Sequence, residues 1–313
     1  MAGHNGQGRG GFLIAGLGFG VAAGTLLGAL VISPATDGLG GSGIDQQQLD
    51  QANSQAEIAR AQADSADSVV AELASGSVKG TLEDSSVLVI RTADADDEDV
   101  SAVNSLLKDA GAHTTGELRL TELFSSSDGA DRLKSIVANT LPTGAQLNEK
   151  DLDPGTHAGD ALGPALLNKP GTKDPAASEK DRTLLLEALK GEGFINYEDS
   201  LEPANSVILI TGDSDGSGDK NFDAGMLANF SRSLAVQSDG LVVAGRIHTA
   251  ADSGLLGQLR GSKIKELSTV DSLDQDWGRL GVVLAVSELL KDQHGHYGAA
   301  ASAEAVVPHL SKD

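Results

Sequence analysis

The chain has 313 residues, with 45 acidic against 23 basic side chains for a formal charge of -22, and it contains no cysteine. An acidic balance of this size argues against nucleic acid or an anionic membrane surface as a partner and favours cations, basic partners or simple solubility. The missing cysteines exclude disulfides, thiolate metal sites and cysteine nucleophiles, and with only 3% aromatic residues the core is left to Val, Leu, Ile and Ala.

Residues 1–10 read as a short tail ending near Arg9. From Gly11 to Ile32 no residue is charged, which is about the length that spans a bilayer core, roughly 20 residues at ~1.5 Å each. Within this stretch Gly16, Gly20, Gly24 and Gly28 recur at every fourth position. A phosphate-cradling loop would find a literal match in Gly18, Gly20 and Ala23, but no strand precedes them. A cleaved export signal would find small residues at Ser33-Pro34-Ala35, but its apolar run is usually only about 7–15 residues. Residues 11–33 therefore read as an uncleaved transmembrane anchor. Arg9 before it and Asp37 and Asp45 after it put the N-terminus in the cytoplasm and the rest of the chain outside, in a single pass through the cell membrane or an outer envelope layer. In lipid, small residues at i and i+4 let helices approach closely, so the glycine stripe reads as a self-association face. The alternative, that glycine is simply common in membrane helices, stays open.

Residues 34–43 form a glycine-bearing linker. Residues 44–78 then place Leu49, Ala52, Ala56, Ala59, Ala63, Ala66, Val70 and Leu73 at alternating spacings of three and four, with polar residues between them. That is the a/d seam of a coiled coil, mostly alanine and so poor in buried area per layer. An amphipathic helix lying on the following domain is the other reading. Two neighbouring self-association signals on one chain raise each other's effective concentration, so a homo-oligomer is expected.

Residues 82–298 read as one Rossmann-like α/β domain with a mostly parallel sheet, and residues 299–313 as a flexible tail. Short apolar runs at 85–91, 206–213 and 240–246 have the composition of fully buried strands, with further strands expected at 112–120 and 264–269. Helices are expected at 96–111, 128–140, 157–168, 178–190, 221–236, 253–259 and 277–292, the first with acids in its opening turn and Gly111 past its end. Alternation of such strands with amphipathic helices implies a sheet covered on both faces. No convincing internal repeat is present, and no train of alternating strands suggests a barrel.

In sheets of this kind ligands bind at the carboxyl ends of the strands. The loop after the first strand carries Asp94, Asp96, Asp97, Glu98 and Asp99, and the loop after 206–213 carries Asp213, Asp215 and Asp219. Asp94, Asp96, Asp213 and Asp215 are candidate ligands for a hard divalent ion. Helix capping and solvation account for the same acids, and their spacing is not that of an EF-hand. His294 and His296 flank Gly295 after the last helix and form a candidate two-ligand site for copper(II) or zinc. His4 falls in the tail, and His113, His157, His248 and His309 are isolated and read as structural or surface residues. Met1 and Met226 are too few for a methionine relay. No nucleophile elbow, His-Glu-x-x-His, P-loop or dinucleotide fingerprint is present, so no catalytic or cofactor-binding residue is assigned and the chain does not read as an enzyme.

The segments "VLVIRTADADDEDV", "LLKDAGA", "FINYEDSL", "SVILITGD", "LSTVDSLDQDWGRLGVVLAV" and "GHYG" lie in one order behind an apolar segment and a heptad helix. In this set the chain resembles the actinobacterial copper transport protein family, the MctB-like envelope proteins. The resemblance implies a role in keeping intracellular copper low and a channel-forming envelope protein, with copper as the transported ion rather than a tightly bound cofactor. Two other readings remain: a structural or interaction protein presenting an α/β domain on a coiled-coil stalk, and an exported hydrolase or sugar-binding protein, for which no motif is present.

Overall fold

The computed structural model describes residues 46–198 and 200–309. The expected anchor at 11–33, its glycines Gly16, Gly20, Gly24 and Gly28, and the linker at 34–43 lie outside the described residues. No helix among the described residues is long and apolar enough to cross a membrane.

The chain divides into two compact units, Met1–Val70 and Ala71–Asp313. In the first, the described residues belong to a helix, α1, that spans Gln46–Val78. Along the seam, Leu49 is helical; Ala52, Ala56, Ala59 and Val70 are half-buried; Ala63, Ala66 and Leu73 are exposed. Ile58, Val69 and Leu73 each leave more than half their surface open, at 56%, 56% and 62%.

The second unit holds the end of α1, where Ala74 and Val78 are buried, and a seven-stranded sheet. The strands are β1 (Ser86–Arg91), β2 (His113–Leu120), β3 (Ile195–Asn196), β4 (Ser206–Ile210), β5 (Gly240–Ala244), β6 (Leu267–Val270) and β7 (His296–Tyr297). Their order is β3-β2-β1-β4-β5-β6-β7. All neighbours are parallel except β2 and β3. This is the expected α/β architecture with a mostly parallel sheet.

Helices cover both faces, as buried strands require. Leu88, Ile90, Val207, Leu209, Leu241, Val243 and Leu267 alternate along the strands into the larger core. There they meet Leu133 and Val137 of α4 (Ala130–Asn139), Leu162 of α5 (Pro154–Leu166), Leu185 of α6 (Glu179–Gly191), Phe230 of α7 (Asn221–Ala235) and Leu256 of α8 (Leu255–Arg260). Phe124 of the short α3 (Glu122–Ser125) packs edge-on against Phe230, with ring centroids 5.2 Å apart. On the opposite face, α2 (Asp97–Asp109) packs against α9 (Asp276–Leu289), and α9 also lies over β4, β5 and β6.

Several boundaries differ from the sequence reading for local reasons. Helix α5 begins before the expected 157, because Asp153 accepts from the Gly155 N–H and Pro154 fits the first helical turn. The strands at 206 and 240 stop at Ile210 and Ala244, and the next residues, Thr211 and Gly245, still donate their N–H groups to the neighbouring strands. The expected strand at 264–269 is displaced to Leu267–Val270. α3, β3 and β7 were not expected, since two to four residues carry no readable period. The stretch from 299 to 309, read as tail, is tied to the domain. Ala299 and Ala300 donate their N–H groups to Asp271, Tyr297 bridges to Ala305, and the His309 N–H donates to Glu288. Glu288 also accepts from the Tyr297 hydroxyl in the interior, and burial together with that carboxylate pushes the phenol above its ordinary range.

Candidate functional site at the carboxyl edge of the sheet

From β1 the chain runs to β2 on one side, and it later re-enters the sheet at β4 on the other. The connections diverge between these two strands, and a crevice opens at their carboxyl ends. It holds a cavity of about 120 Å³ lined by Thr92, Asp94, Glu122, Ser125, Thr211, Ser214, Lys220 and Asp223, with Ala224, Leu227 and Leu255 as its apolar wall.

Two loops of the same pattern face each other across it. Thr92-Ala93-Asp94-Ala95-Asp96 follows β1, and Thr211-Gly212-Asp213-Ser214-Asp215 follows β4. Arg91 is the register partner of Ile210, so the two threonines leave adjacent strands side by side. Thr92 Oγ1 donates to Asp94 Oδ1 at 2.5 Å and lies 3.4 Å from Thr211 Oγ1. The loops touch through backbone: a Cβ on Gly212 would stand 2.5 Å from the Asp94 carbonyl oxygen, so only glycine fits there. The sequence reading of no convincing internal repeat missed this echo; the usable signal was Thr-x-Asp-x-Asp after two apolar strand runs.

The second aspartate of each loop closes a turn. Asp96 accepts from the Glu98 N–H at 2.9 Å and caps α2, and Asp215 accepts from the N–H and hydroxyl of Ser217 at 2.9 and 2.8 Å. These backbone donors favour the ionised form and hold both carboxyls below their ordinary range. Asp96 also pairs with Arg246 at 3.0 Å. Asp213 lies 2.8 Å from His248 Nδ1 and accepts the His248 backbone N–H at 3.2 Å. The four candidate acids therefore share one edge, and each is already engaged within the chain: Asp94 by Thr92, Asp96 by Glu98 and Arg246, Asp213 by His248 and Asp215 by Ser217. Asp94 lines the cavity, as do Glu122 and Asp223, which sequence reasoning did not single out.

Lys220 stands at the mouth, its Nζ 3.1 Å from Asp223 Oδ2. The bond to Asp223, that carboxylate's charge and, beyond it, Glu122 and Asp94 push the ammonium above its ordinary range. The hydrogen bond to Asp213 likewise raises His248, which the sequence left isolated. An NMR titration of His248 is expected to give a midpoint above the usual ~6.5, and Asp213→Asn is expected to bring it back. With a raised histidine the contact contributes at low pH and is lost as pH rises through the folded value. Equal midpoints in wild type and variant would show that the pair does not form in solution.

Behind the edge lies a charged interior. Asp99, 1% exposed, accepts from Arg246 Nε at 2.9 Å and from an Arg279 guanidinium nitrogen at 2.8 Å. Arg91 reaches Asp97 at 2.5 Å.

The histidine pair lies elsewhere, at the edge strand β7, separated from the crevice by β5 and β6. His294 is exposed, whereas His296 is half-buried, with Nδ1 3.1 Å from Thr269 Oγ1 and its backbone N–H donated to Glu304 at 3.2 Å. Burial holds the His296 imidazole below its ordinary range, which favours the neutral, metal-ligating form. Among the described residues, no three His, Asp or Glu side chains converge as a metal-binding set. His113 lies 3.1 Å from Glu202, His157 bonds the Asn148 carbonyl, and Met226 is buried in the core.

Residues 12–308 match the family described as "Copper transport outer membrane protein, MctB". The chain is 34% identical over 270 residues to proteins of Mycobacterium bovis and Mycobacterium tuberculosis, each named copper transporter MctB, covering 83% of this chain and 84% of the relative. It is 35% identical over 243 residues to the copper transporter MctB of Mycobacterium leprae, covering 74% and 75% of the two chains. With the match running from the apolar N-terminal stretch to the last strand and beyond, the chain belongs to the MctB family of copper transport outer membrane proteins.

Proposed function

We propose that this protein serves copper efflux or homeostasis in the cell envelope. In this reading residues 11–33 anchor it in a membrane, the α/β domain is exported, and copies associate through the glycine stripe and the heptad seam. Channel formation follows from such assembly, because one apolar span encloses no pore. The observation that carries the reading is the near full-length match to relatives named copper transporters.

The test is deletion of the gene with complementation by wild type or by a chain with Gly20 and Gly24 replaced by Leu. Deletion is expected to raise cell copper and copper sensitivity, with rescue by wild type alone. Unchanged cell copper on deletion would sink the proposal. Whether the domain handles copper directly is read by copper(II) titration calorimetry of the full chain in detergent, wild type beside His294→Ala/His296→Ala. Loss of micromolar binding in the double variant is the expected result. Absence of binding to both forms would favour the second reading, an interaction protein whose α/β domain recruits a partner. That reading draws its support from the engagement of Asp96, Asp213 and Asp215 within the chain.

A further inference from the structure

We propose that a groove at the amino edge of the sheet, at the other end of the strands from the crevice, binds a small zwitterion: one ammonium and one carboxylate on a short body. The groove has a volume of about 400 Å³ and is lined by Asp84 and Ser86 at the entry to β1, His113 at the start of β2, Lys173 and Glu202. That size falls within the roughly 300–1,000 Å³ of small-molecule sites. Pro175 and Pro203 give it an apolar wall.

Unpaired charges of both signs set the ligand class. Lys173 and Asp84 line the same groove, yet among the described residues neither side chain has an ion-pair or hydrogen-bond partner. Both stand on fixed backbone. Lys173 rides on a hairpin closed by the Asn168–Pro175 bridge. Asn205 pins that hairpin by donating to the Thr172 carbonyl at 2.7 Å, and Asp239 accepts the Gly171 N–H at 2.6 Å. Asp84 sits in the left-handed region, φ 66°, which Asp and Asn adopt more readily than other side chains. The third charge is already engaged, because His113 Nε2 lies 3.1 Å from Glu202. A pure anion would meet Asp84 and Glu202, and a pure cation would meet Lys173. A ligand with both charges satisfies Lys173 and Asp84 together through charge-assisted hydrogen bonds. A buried polar atom points the same way. Thr115 follows His113 on the same face of β2, is 4% exposed, and its hydroxyl has no hydrogen-bond partner. Its carbonyl accepts the Glu202 N–H at 2.9 Å, so this hydroxyl lies behind the groove wall, and buried polar groups ordinarily find partners.

The probes are L-alanyl-L-alanine and L-alanine, titrated by calorimetry and amide NMR into the full chain in a non-ionic detergent. Saturable millimolar binding is expected, with amide shifts at Ser85, His113 and Lys173. Tighter binding of the dipeptide assigns a short peptide, tighter binding of L-alanine a free amino acid, and either supports the proposal. N-acetyl-L-alanyl-L-alanine, which lacks the ammonium, and L-alanyl-L-alaninamide, which lacks the carboxylate, are expected to bind at least tenfold more weakly. Lys173→Met and Asp84→Asn are each expected to weaken zwitterion binding at least tenfold, asparagine being compatible with the left-handed backbone. Lys263→Met, the same charge change outside the groove, leaves it unaltered. Thermal unfolding of each variant checks that it folds. Absence of binding by both probes would overturn the proposal. So would equal affinity for the acetylated or amidated dipeptide, affinity unmoved in both Lys173→Met and Asp84→Asn, or an equal loss in Lys263→Met.

Discussion

Asp271→Ala is expected to destabilise the domain by about 3–5 kcal/mol, the usual effect of removing one partner from a buried ion pair. For a domain of this size that lowers the melting temperature by roughly 10 °C. Asp271 has no exposed surface, and its partner Arg260, 2.7 Å away, has a side chain only 5% exposed. The carboxylate also accepts from the Ser272 hydroxyl and from the N–H groups of Ala299 and Ala300. Arg260 in turn donates to the Tyr297 carbonyl and the Ser302 hydroxyl. The pair thus joins the end of β6 to the C-terminal stretch, and the two approach so closely that a Cβ on Gly298 would collide with the carboxylate. The variant leaves a buried guanidinium without its anion and frees the 298–309 segment. Amide exchange at Ala299 and Ala300 should accelerate well beyond that of β4. A loss below ~1 kcal/mol, the range of exposed pairs, with unchanged exchange, would refute this account.

Asp99→Ala is expected to cost about 1–3 kcal/mol, the loss of charge-assisted hydrogen bonds at a buried site, because Arg246 keeps Asp96 and Arg279 keeps Asp276 and Glu98, and its rescue is the sharper test. Asp99 is buried between Arg246 and Arg279, and the Arg279 side chain is itself only 11% exposed. Hydrophobic replacement of a whole buried pair is often neutral. Asp99→Leu combined with Arg279→Met should therefore recover most of what Asp99→Ala loses. Denaturant unfolding of the three proteins decides it. If Asp99→Ala costs less than ~0.5 kcal/mol, or the double variant is no better than the single, the guanidinium bonds to Asp99 do not carry the stability assigned to them.

The sheet was legible because its central strands are uninterrupted apolar runs, and only burial on both faces tolerates such runs. β3 and β7, two residues each, had no such signature; they exist because neighbouring backbone offered hydrogen-bonding partners. The acidic loops were legible as loops, and the carboxyl edge as their location. Their division of labour was not: nothing in the local sequence separates Asp99, buried between two arginines, from Asp94 at the crevice.

By itself, then, the sequence determined the α/β class, the covered parallel sheet, the absence of thiol chemistry and, through ordered segments, the family. These follow from composition and local period, which act within a strand or a helix. The tertiary structure alone decided that Thr92 and Thr211, 119 residues apart, stand together, that Asp213 meets His248, and that Asp271 holds the C-terminal stretch. Those contacts depend on strand order and register, and the long-range packing that sets them has no local signature along the chain.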